Sequence, residues 1–249
     1  MTTFAKAVGA SLRTYYAPGR AALLDAFYRH FLSAGDLAFD VGTHVGDRTA
    51  CFRRLGARVV AVEPQPRLLR ALRLIFHRDP GVALVPALLG AAPGEAVLRL
   101  NTANPTVATA SDAFIAAADG AAGWEGQRWD AEIVRPVTTL DALADRYGVP
   151  DFVKIDVEGF EAEVLRGLSR PPRALSFEFT TIQRNIALAC LERLAALGYR
   201  HFNACLGESM AFAHPVPQGL DAMARWIAEL PHAANSGDVY AGRNPATLV

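Results

Sequence analysis

The residue types able to do chemistry gather in two short acidic segments. The first reads Phe39-Asp40-Val41-Gly42-Thr43-His44-Val45-Gly46-Asp47, with two glycines four positions apart and a carboxylate on either side. Gly42 lets the backbone turn sharply and leaves no Cβ in the way of an approaching ligand. Gly46 allows close passage where a helix begins, and the free N–H groups of that helix start can hold a carboxylate or a polar tail. Glu63, 23 residues after Asp40, closes the apolar run Val60-Ala61-Val62 and precedes Pro64. An acidic side chain at such a strand end can accept both hydroxyls of a ribose. Each feature alone is weak, since a glycine turn is also plain punctuation. Joined in one strand–helix–strand unit, they point to a nucleoside cofactor.

The spacing also discriminates between nucleosides. A dinucleotide needs Gly-x-Gly-x-x-Gly to admit its pyrophosphate. Here the frame is Gly-x-x-x-Gly, flanked by Asp40 and Asp47. Two carboxylates repel a pyrophosphate and favour a cation. S-adenosylmethionine, with an ammonium, a sulfonium and no phosphate, is the cofactor expected.

The second segment is Asp151-Phe152-Val153-Lys154-Ile155-Asp156-Val157-Glu158-Gly159-Phe160-Glu161. It puts Lys154 inside an apolar strand, Asp156 at its end and Glu158 just beyond, while Glu178 lies near the end of the next strand. In a parallel sheet these carboxylates converge on the edge that carries Asp40 and Glu63. Methyl transfer from a sulfonium is an in-line displacement that needs alignment and removal of a proton from the acceptor. The candidate bases are Asp156, Glu158 and His44, in that order. A divalent metal on Asp156, Glu158 and Glu178 is a rival, but three carboxylates are a loose signal and no metal is expected. Lys154 and Lys6 are the only lysines. Lys154 reads more simply as the partner of a buried Asp156 or Glu178. Glu161 and Glu163 read as residues favoured by a helix N-terminus, and Glu158 as a cap of the same helix. Trp124 and Trp129 either line an acceptor pocket or pin their loop.

The elements that position these residues alternate. Helical spacing marks residues 1–35 as an N-terminal extension that caps the sheet or covers the pocket. Then come a strand at 37–41, a helix at 47–56 with Asp47 near its N-cap, a strand at 58–63, a helix at 66–77 and a strand at 82–85. Continuous apolar strands between helices are the pattern of a parallel sheet covered on both faces. Residues 95–100 and 133–137 suggest a hairpin-like excursion. Residues 101–130 read as a long loop with at most a short helix, a candidate substrate lid. Helices at 140–147, 161–168, 182–197 and 220–230 alternate with strands at 151–155, 174–179, 200–204 and 238–241. No linker divides residues 36–249, which form one domain.

Composition narrows the classes. The 25 basic and 25 acidic residues cancel, which argues against a nucleic-acid partner. No apolar stretch reaches the length of a membrane span, and residues 1–20 lack the apolar core of a secretory signal, so a cytoplasmic enzyme is expected. The abundance of alanine and arginine suggests a GC-rich bacterial genome. Cys51, Cys190 and Cys205 are too far apart for a disulfide framework or a zinc site and read as buried thiols.

With these segments in view, the chain resembles the FkbM family of methyltransferases. The resemblance rests on FDVGTHVGDRT, VVAVEPQP, VKIDVEGFEAEVLRG, SFEF and the closing Gly237-Asp238-Val239-Tyr240-Ala241, and covers about residues 36–242. It implies a class I, Rossmann-like methyltransferase fold: a doubly wound, mostly parallel seven-stranded sheet with helices on both faces. It also implies O-methylation of a small molecule or sugar, in a biosynthetic setting whose acceptor and oligomeric state the sequence leaves open. The resemblance places Asp40, Gly42 and Gly46 around the amino-acid end of the cofactor, with Thr43, His44 and Thr49 also expected to bind it. Glu63 and Pro64 fall at the ribose, Ala87 beside adenine, and Asp156 near the methionine moiety or the acceptor. Many relatives carry Asn where His44 stands, which leaves the hydrogen bonding of that loop open. Three other functions compete, one of them a nucleic-acid methyltransferase, which would carry an Asn/Asp-Pro-Pro-aromatic run where this chain has Asp156-Val157-Glu158-Gly159. A non-catalytic S-adenosylmethionine-binding module would keep the glycines and Glu63 and lose only turnover. A nicotinamide-dependent oxidoreductase would need the dinucleotide glycine spacing and a Tyr-x-x-x-Lys or His-Asp arrangement, none of which is present.

Overall fold

A computed structural model describes residues 3–249. Two helices, α1 (Thr3–Tyr15) and α2 (Arg20–Tyr28), precede β1 (Leu37–Val41), α3 (Asp47–Arg54), β2 (Arg58–Val62), α4 (Pro66–Ile75) and β3 (Val82–Val85). The excursion follows as β4 (Leu88–Leu89), β5 (Gly94–Leu100), α5 (Asp112–Ala118) and β6 (Ala131–Thr138). The chain then runs through α6 (Leu140–Tyr147), β7 (Phe152–Ile155), α7 (Glu161–Arg166), β8 (Ala174–Thr180) and α8 (Arg184–Ala196). It ends with β9 (His201–Leu206), α9 (Leu220–Glu229) and β10 (Ser236–Gly242).

The main sheet has seven strands in the order β3-β2-β1-β7-β8-β10-β9. All its neighbours pair in parallel except β10, which runs antiparallel to both β8 and β9. The chain lays down β1, β2 and β3 toward one edge, then crosses back to place β7 on the other side of β1. That reversal opens a crevice beyond the carboxyl ends of β1 and β7, the place where doubly wound sheets bind ligands. The parallel register sets Asp40 beside Lys154 and Val41 beside Ile155, so Gly42 and Asp156 leave their strands together.

The period of two along each strand divides the core into two faces. Leu37, Phe39, Val41, Val153, Ile155 and Phe177 pack under residues from α6, α7, α8 and α9. On the opposite face Ala38, Val59, Ala61, Phe152 and Tyr240 meet Leu24, Phe27 and Tyr28 of α2 and Cys51 and Phe52 of α3. The N-terminal extension is therefore part of the cover of the sheet. Phe31, just past α2, stacks on Phe152 at 4.9 Å and on Tyr240 at 5.2 Å between ring centroids. All three cysteines are free and buried. No helix among the described residues is long and apolar enough to cross a membrane.

The excursion forms a second sheet of three strands, β4-β6-β5. The expected pairing of the 95–100 and 133–137 stretches is present as antiparallel β5 and β6, with Leu98 opposite Ile133. The two-residue strand β4, which pairs in parallel with β6, is too short to show a periodicity in the sequence. Residues 101–130 have a small core of their own. Val107, Phe114, Ala118 and Trp124 are buried together against Trp129, whose Nε1 donates to the Val107 carbonyl at 2.8 Å. Both tryptophans thus pin the segment. Ser111 caps α5 by accepting from the Phe114 N–H.

Replacing Phe31 with Ala removes the ring that joins the N-terminal helices to the sheet. A loss of about 3–5 kcal/mol in unfolding free energy is expected, measured by urea denaturation.

Candidate active site

The crevice at the strand reversal is a cleft of about 980 Å³, its open mouth included. Its floor is the turn after β1, residues 40–44, with Asp156 and Val157 after β7. One wall is Val62 to Gln65 and Ala87 to Leu89, and the opposite rim carries Tyr15 and Glu208. Residues 105–110 of the excursion cover it, with Pro105, Thr106, Ala108 and Ala110 facing inward. That cover is tied down at two points. Gln65 Nε2 donates to the Pro105 carbonyl at 3.0 Å, and Thr109 Oγ1 donates to the Glu158 carbonyl at 2.7 Å.

Gly42 has φ +83°, and a Cβ there would fall 1.7 Å from the carbonyl oxygen of Asp156. The glycine is thus required by the contact between the two strand ends as well as by the turn. His44 has φ +53°, a left-handed conformation that Asn and His tolerate better than most residues.

Glu63 is only 2% exposed. Its Oε2 accepts the His44 N–H at 3.0 Å and its Oε1 accepts the Gln65 N–H at 2.7 Å. Burial nevertheless pushes its carboxyl up to about 8, against the pull of those two donors. Each oxygen keeps a lone pair for a further donor. Asp40 is likewise buried and raised by desolvation, and its Oδ2 accepts from Thr49 Oγ1 at 2.6 Å. Around them His44 Nε2 and Gln65 Oε1 are buried without partners. Burial drives the His44 imidazole down to about 4, so it is neutral at physiological pH.

On the far side of the cleft Lys154 Nζ lies 2.6 Å from Asp156 Oδ2. Burial alone would raise Asp156, but the Lys154 ammonium overrides it and holds the carboxyl below the usual range. Its side chain is 34% exposed, so this ionised carboxylate is accessible from the cleft. Glu158 and Glu178 behave in the opposite way: burial, then the charge of Asp156, pushes both well above the carboxylate range. Glu161 Oε1 accepts the N–H groups of Val157 and Gly159 and so braces the turn that carries Glu158. Seven carboxylates face the cleft against two cationic side chains, Lys154 and Arg48. Arg48 is bound at 2.5 Å to both Asp47 and Glu208. The residues present thus suit a ligand that brings positive charge and hydroxyl donors.

The model of the methyltransferase FkbM domain matches residues 40–201, from the floor of this cleft to the first residue of β9. The chain belongs to the FkbM methyltransferase family. Hexuronic acid methyltransferase AglP of Haloferax volcanii is 26% identical over 153 residues, which make up 61% of this chain and 57% of that protein. The chain therefore matches little more than half the length of that relative. Among solved structures, a TehB-like SAM-dependent methyltransferase of Corynebacterium glutamicum aligns over 95% of this chain and 96% of its own, at 12% identity and a TM-score of 0.47. Precorrin-6y C5,15-methyltransferase of Geobacter metallireducens aligns over 90% and 88%, at 16% identity and a TM-score of 0.46. Similarities this low say nothing about chemistry.

In this FkbM-family chain the cleft brings together Asp40, Gly42, Thr43, His44, Glu63, Pro64, Ala87, Asp156 and Glu158. Two residues expected at the cofactor stand behind it. A Cβ on Gly46 would meet Phe76 and Leu72, so this glycine serves the packing of α3 on α4. Thr49 is fully buried and acts on Asp40 rather than on the cleft. Asp47 is the first residue of α3, and the N-cap is Gly46, which has no side chain to make a capping bond. The sequence also missed Tyr15, Gln65, Arg48 and Glu208. Gln65 was within reach, two residues past Glu63 at the start of a helix. The other three arrive from α1, from the face of α3 turned to the rim, and from a loop after β9, and no local pattern marks them.

Two pH responses follow. In the unfolded chain Glu63 loses its proton near 4.5, in the folded chain near 8. Across that window the folded state holds a proton that the unfolded state has lost, so stability falls as pH rises. Glu63→Gln removes this slope, and its unfolding free energy relative to the parent should climb from pH 5 to pH 8 in urea melts. His44 acts in the opposite window: the unfolded imidazole gains a proton near 6.5 and the folded one near 4, so stability is lost as pH falls between them. His44→Asn keeps the left-handed turn and should flatten that acid loss in the same assay.

Proposed function

We propose that this chain transfers the methyl group of S-adenosylmethionine to a hydroxyl oxygen of a small, sugar-like acceptor. The observation that carries the reading is Asp156, an accessible carboxylate kept ionised by Lys154 and set against the glycine turn. The sugar class is supported by the relative named for hexuronic acid methylation, and it remains a proposal because the match spans only 57% of that protein.

S-adenosylmethionine bound in the cleft supplies a methyl group on a sulfonium, and the carbon–sulfur bond breaks as the methyl passes to the acceptor oxygen. Glu63 is assigned to the ribose hydroxyls through the lone pairs its backbone donors leave free. The wall at Ala87, Leu88 and Leu89 takes the adenine, and Asp40 with residues 42–44 takes the amino-acid end. Asp156 accepts the proton of the acceptor hydroxyl. Glu158, which burial and the charge of Asp156 push toward its neutral form, and His44, weakly basic, are poorer acceptors. Residues 101–130 are read as the lid, with 105–110 keeping water from the reacting atoms.

Calorimetric titration with S-adenosylmethionine, S-adenosylhomocysteine and NAD tests the cofactor half. Micromolar binding of both adenosyl ligands and none of NAD is expected, with the affinity of Glu63→Ala reduced by tenfold or more, about 1.4 kcal/mol. The acceptor half is tested by incubation with hexuronic acids and neutral hexosides, followed by mass spectrometry for a methyl ether. Asp156→Asn should lower turnover by about 10²–10⁴ while adenosyl affinity is kept. Adenosyl binding indifferent to Glu63 would overturn the cofactor assignment, and methylation of nitrogen alone would overturn the acceptor class.

A further inference from the structure

The rim of the cleft opposite the Glu63 wall is built from residues outside the stretch that the family model matches. Tyr15 closes α1, Arg20 opens α2 and Glu208 follows β9, whereas the match runs over residues 40–201. One guanidinium ties the three together. Arg20 lies over the Tyr15 ring at 5.1 Å and donates to Glu208 Oε2 at 2.7 Å and to Asp47 Oδ2 at 3.3 Å. Arg48 donates to the same Glu208 Oε2 at 2.5 Å. The Tyr15 ring also meets the His44 imidazole edge to face, with centroids 5.3 Å apart. Ring and carboxylate are thus held in place although neither belongs to the sheet.

The polar atoms that this frame brings to the cleft are unused. Tyr15 and Glu208 both line it. Both guanidinium donors converge on Glu208 Oε2, and among the described residues Oε1 accepts no hydrogen bond. The Tyr15 hydroxyl likewise has no hydrogen-bond partner among the described residues. Burial would raise the Glu208 carboxyl, but Arg48 and Arg20 override it and hold it below the usual range, so it can only accept. Burial, then the charges of Glu208 and Asp156, push the Tyr15 hydroxyl above its usual range, so it keeps its proton and can donate. The hydroxyl is therefore within electrostatic reach of both the rim carboxylate and the proposed base. One ligand hydroxyl satisfies both unused atoms, donating its proton to Glu208 and accepting that of Tyr15.

We propose that Tyr15 and Glu208 form an acceptor subsite that binds a second hydroxyl of the substrate, one that is not methylated. The acceptor is thereby a polyol read at two oxygens, by Asp156 at the one that reacts and by the rim at the other. This rests on the sugar-acceptor reading above and names the residues that select within that class. Two anchored oxygens fix the orientation of a ring where one would leave it free to turn, and orientation is what an in-line displacement demands. An analogue without the second hydroxyl leaves a carboxylate and a phenol unpaired, so the subsite rejects deoxy sugars and simple alcohols. Arg20 is a positioning residue: it touches both members of the pair and holds ring and carboxylate at a set separation.

The test follows binding of methyl glucoside, methyl mannoside and methyl galactoside to the full chain by saturation-transfer NMR, with and without S-adenosylhomocysteine, and uses cyclohexanol as the single-hydroxyl control. The parent should bind at least one hexoside and not cyclohexanol. Affinity for that hexoside should fall by about tenfold or more in Tyr15→Phe, which removes only the hydroxyl, and in Glu208→Gln. Among its deoxy analogues, taken one ring position at a time, one should bind the parent as weakly as the hexoside binds the variants, and should lose nothing further in them. Arg20→Lys keeps the charge and gives up the planar fork, so it should weaken hexoside binding while S-adenosylhomocysteine affinity is kept. Unchanged thermal midpoints show that the variants are folded. Hexoside binding equally tight in parent and variants overturns the subsite, as does a parent that binds none of the hexosides. A loss of S-adenosylhomocysteine affinity in both Tyr15→Phe and Glu208→Gln assigns the pair to the cofactor and also overturns it. A parent that ignores adenosyl ligands yet binds a hexoside through Tyr15 and Glu208 would support the subsite while refuting the methyl-transfer reading.

Discussion

A single ammonium group in the sheet interior sets the terms for the rest of the site. Lys154 is 3% exposed and lies on the face where Asp40 is its register neighbour and Asp156 its ion-pair partner, and its charge also reaches Asp238. Burial penalises the charge on Lys154, and the carboxylates around it more than offset that penalty, so it stays protonated. A buried ion pair of this kind adds little net stability compared with apolar packing, but removing one partner costs about 3–5 kcal/mol because the other is stranded. Its consequence is chemical. Without the ammonium, burial would push Asp156 up as it pushes Glu158 and Glu178; with it, the Asp156 carboxyl is held below the usual range where the cleft can reach it.

The same constraint explains the arrangement of the glycine turn. β1 and β7 are register neighbours, so the turn after one and the acid after the other leave the sheet side by side. The backbones approach so closely that no Cβ fits on Gly42. The turn then aims the His44 N–H at Glu63, which draws the end of β2 into the same floor. Three strand ends meet through the close approach that leaves no room for a Cβ on Gly42 and the hydrogen bond from the His44 N–H to the Glu63 carboxyl.

Much of this was legible in the residues. Strand ends carry their chemistry in local sequence, because an apolar run that stops at Asp, Glu or Gly marks both the end of a strand and the edge where ligands bind. Asp40, Gly42, Glu63, Asp156 and Glu158 were all visible on that ground. Gly46 and Thr49 lay in the same motif, but the fold uses them one layer back, against Phe76 and Asp40; spacing along a chain does not tell a wall from its support. Arg48, Glu208 and Tyr15 were invisible for another reason. They meet through a network in which Arg20 and Arg48 both hold Glu208, residues 188 and 160 positions away. Such contacts follow from how whole elements pack. The pairing of β10 between β8 and β9 is of the same kind: its alternation reveals a strand but not which neighbours it takes.

The charge of the cleft is a statement about what it can accept. Seven carboxylates face it, and the two cations among them are already engaged. A nucleotide carrying a pyrophosphate would meet repulsion at the turn after β1 and again at the end of β7, with no free guanidinium to receive it. A sulfonium cofactor meets the opposite field, and it is neutral in charge once its methyl is gone, so the field that favours the charged donor holds the product less tightly. The distribution of charge thus bears on the choice of cofactor: Asp156, held below the usual carboxylate range by Lys154, faces a cleft whose two cationic side chains are both paired, a setting that favours a cationic ligand over a pyrophosphate.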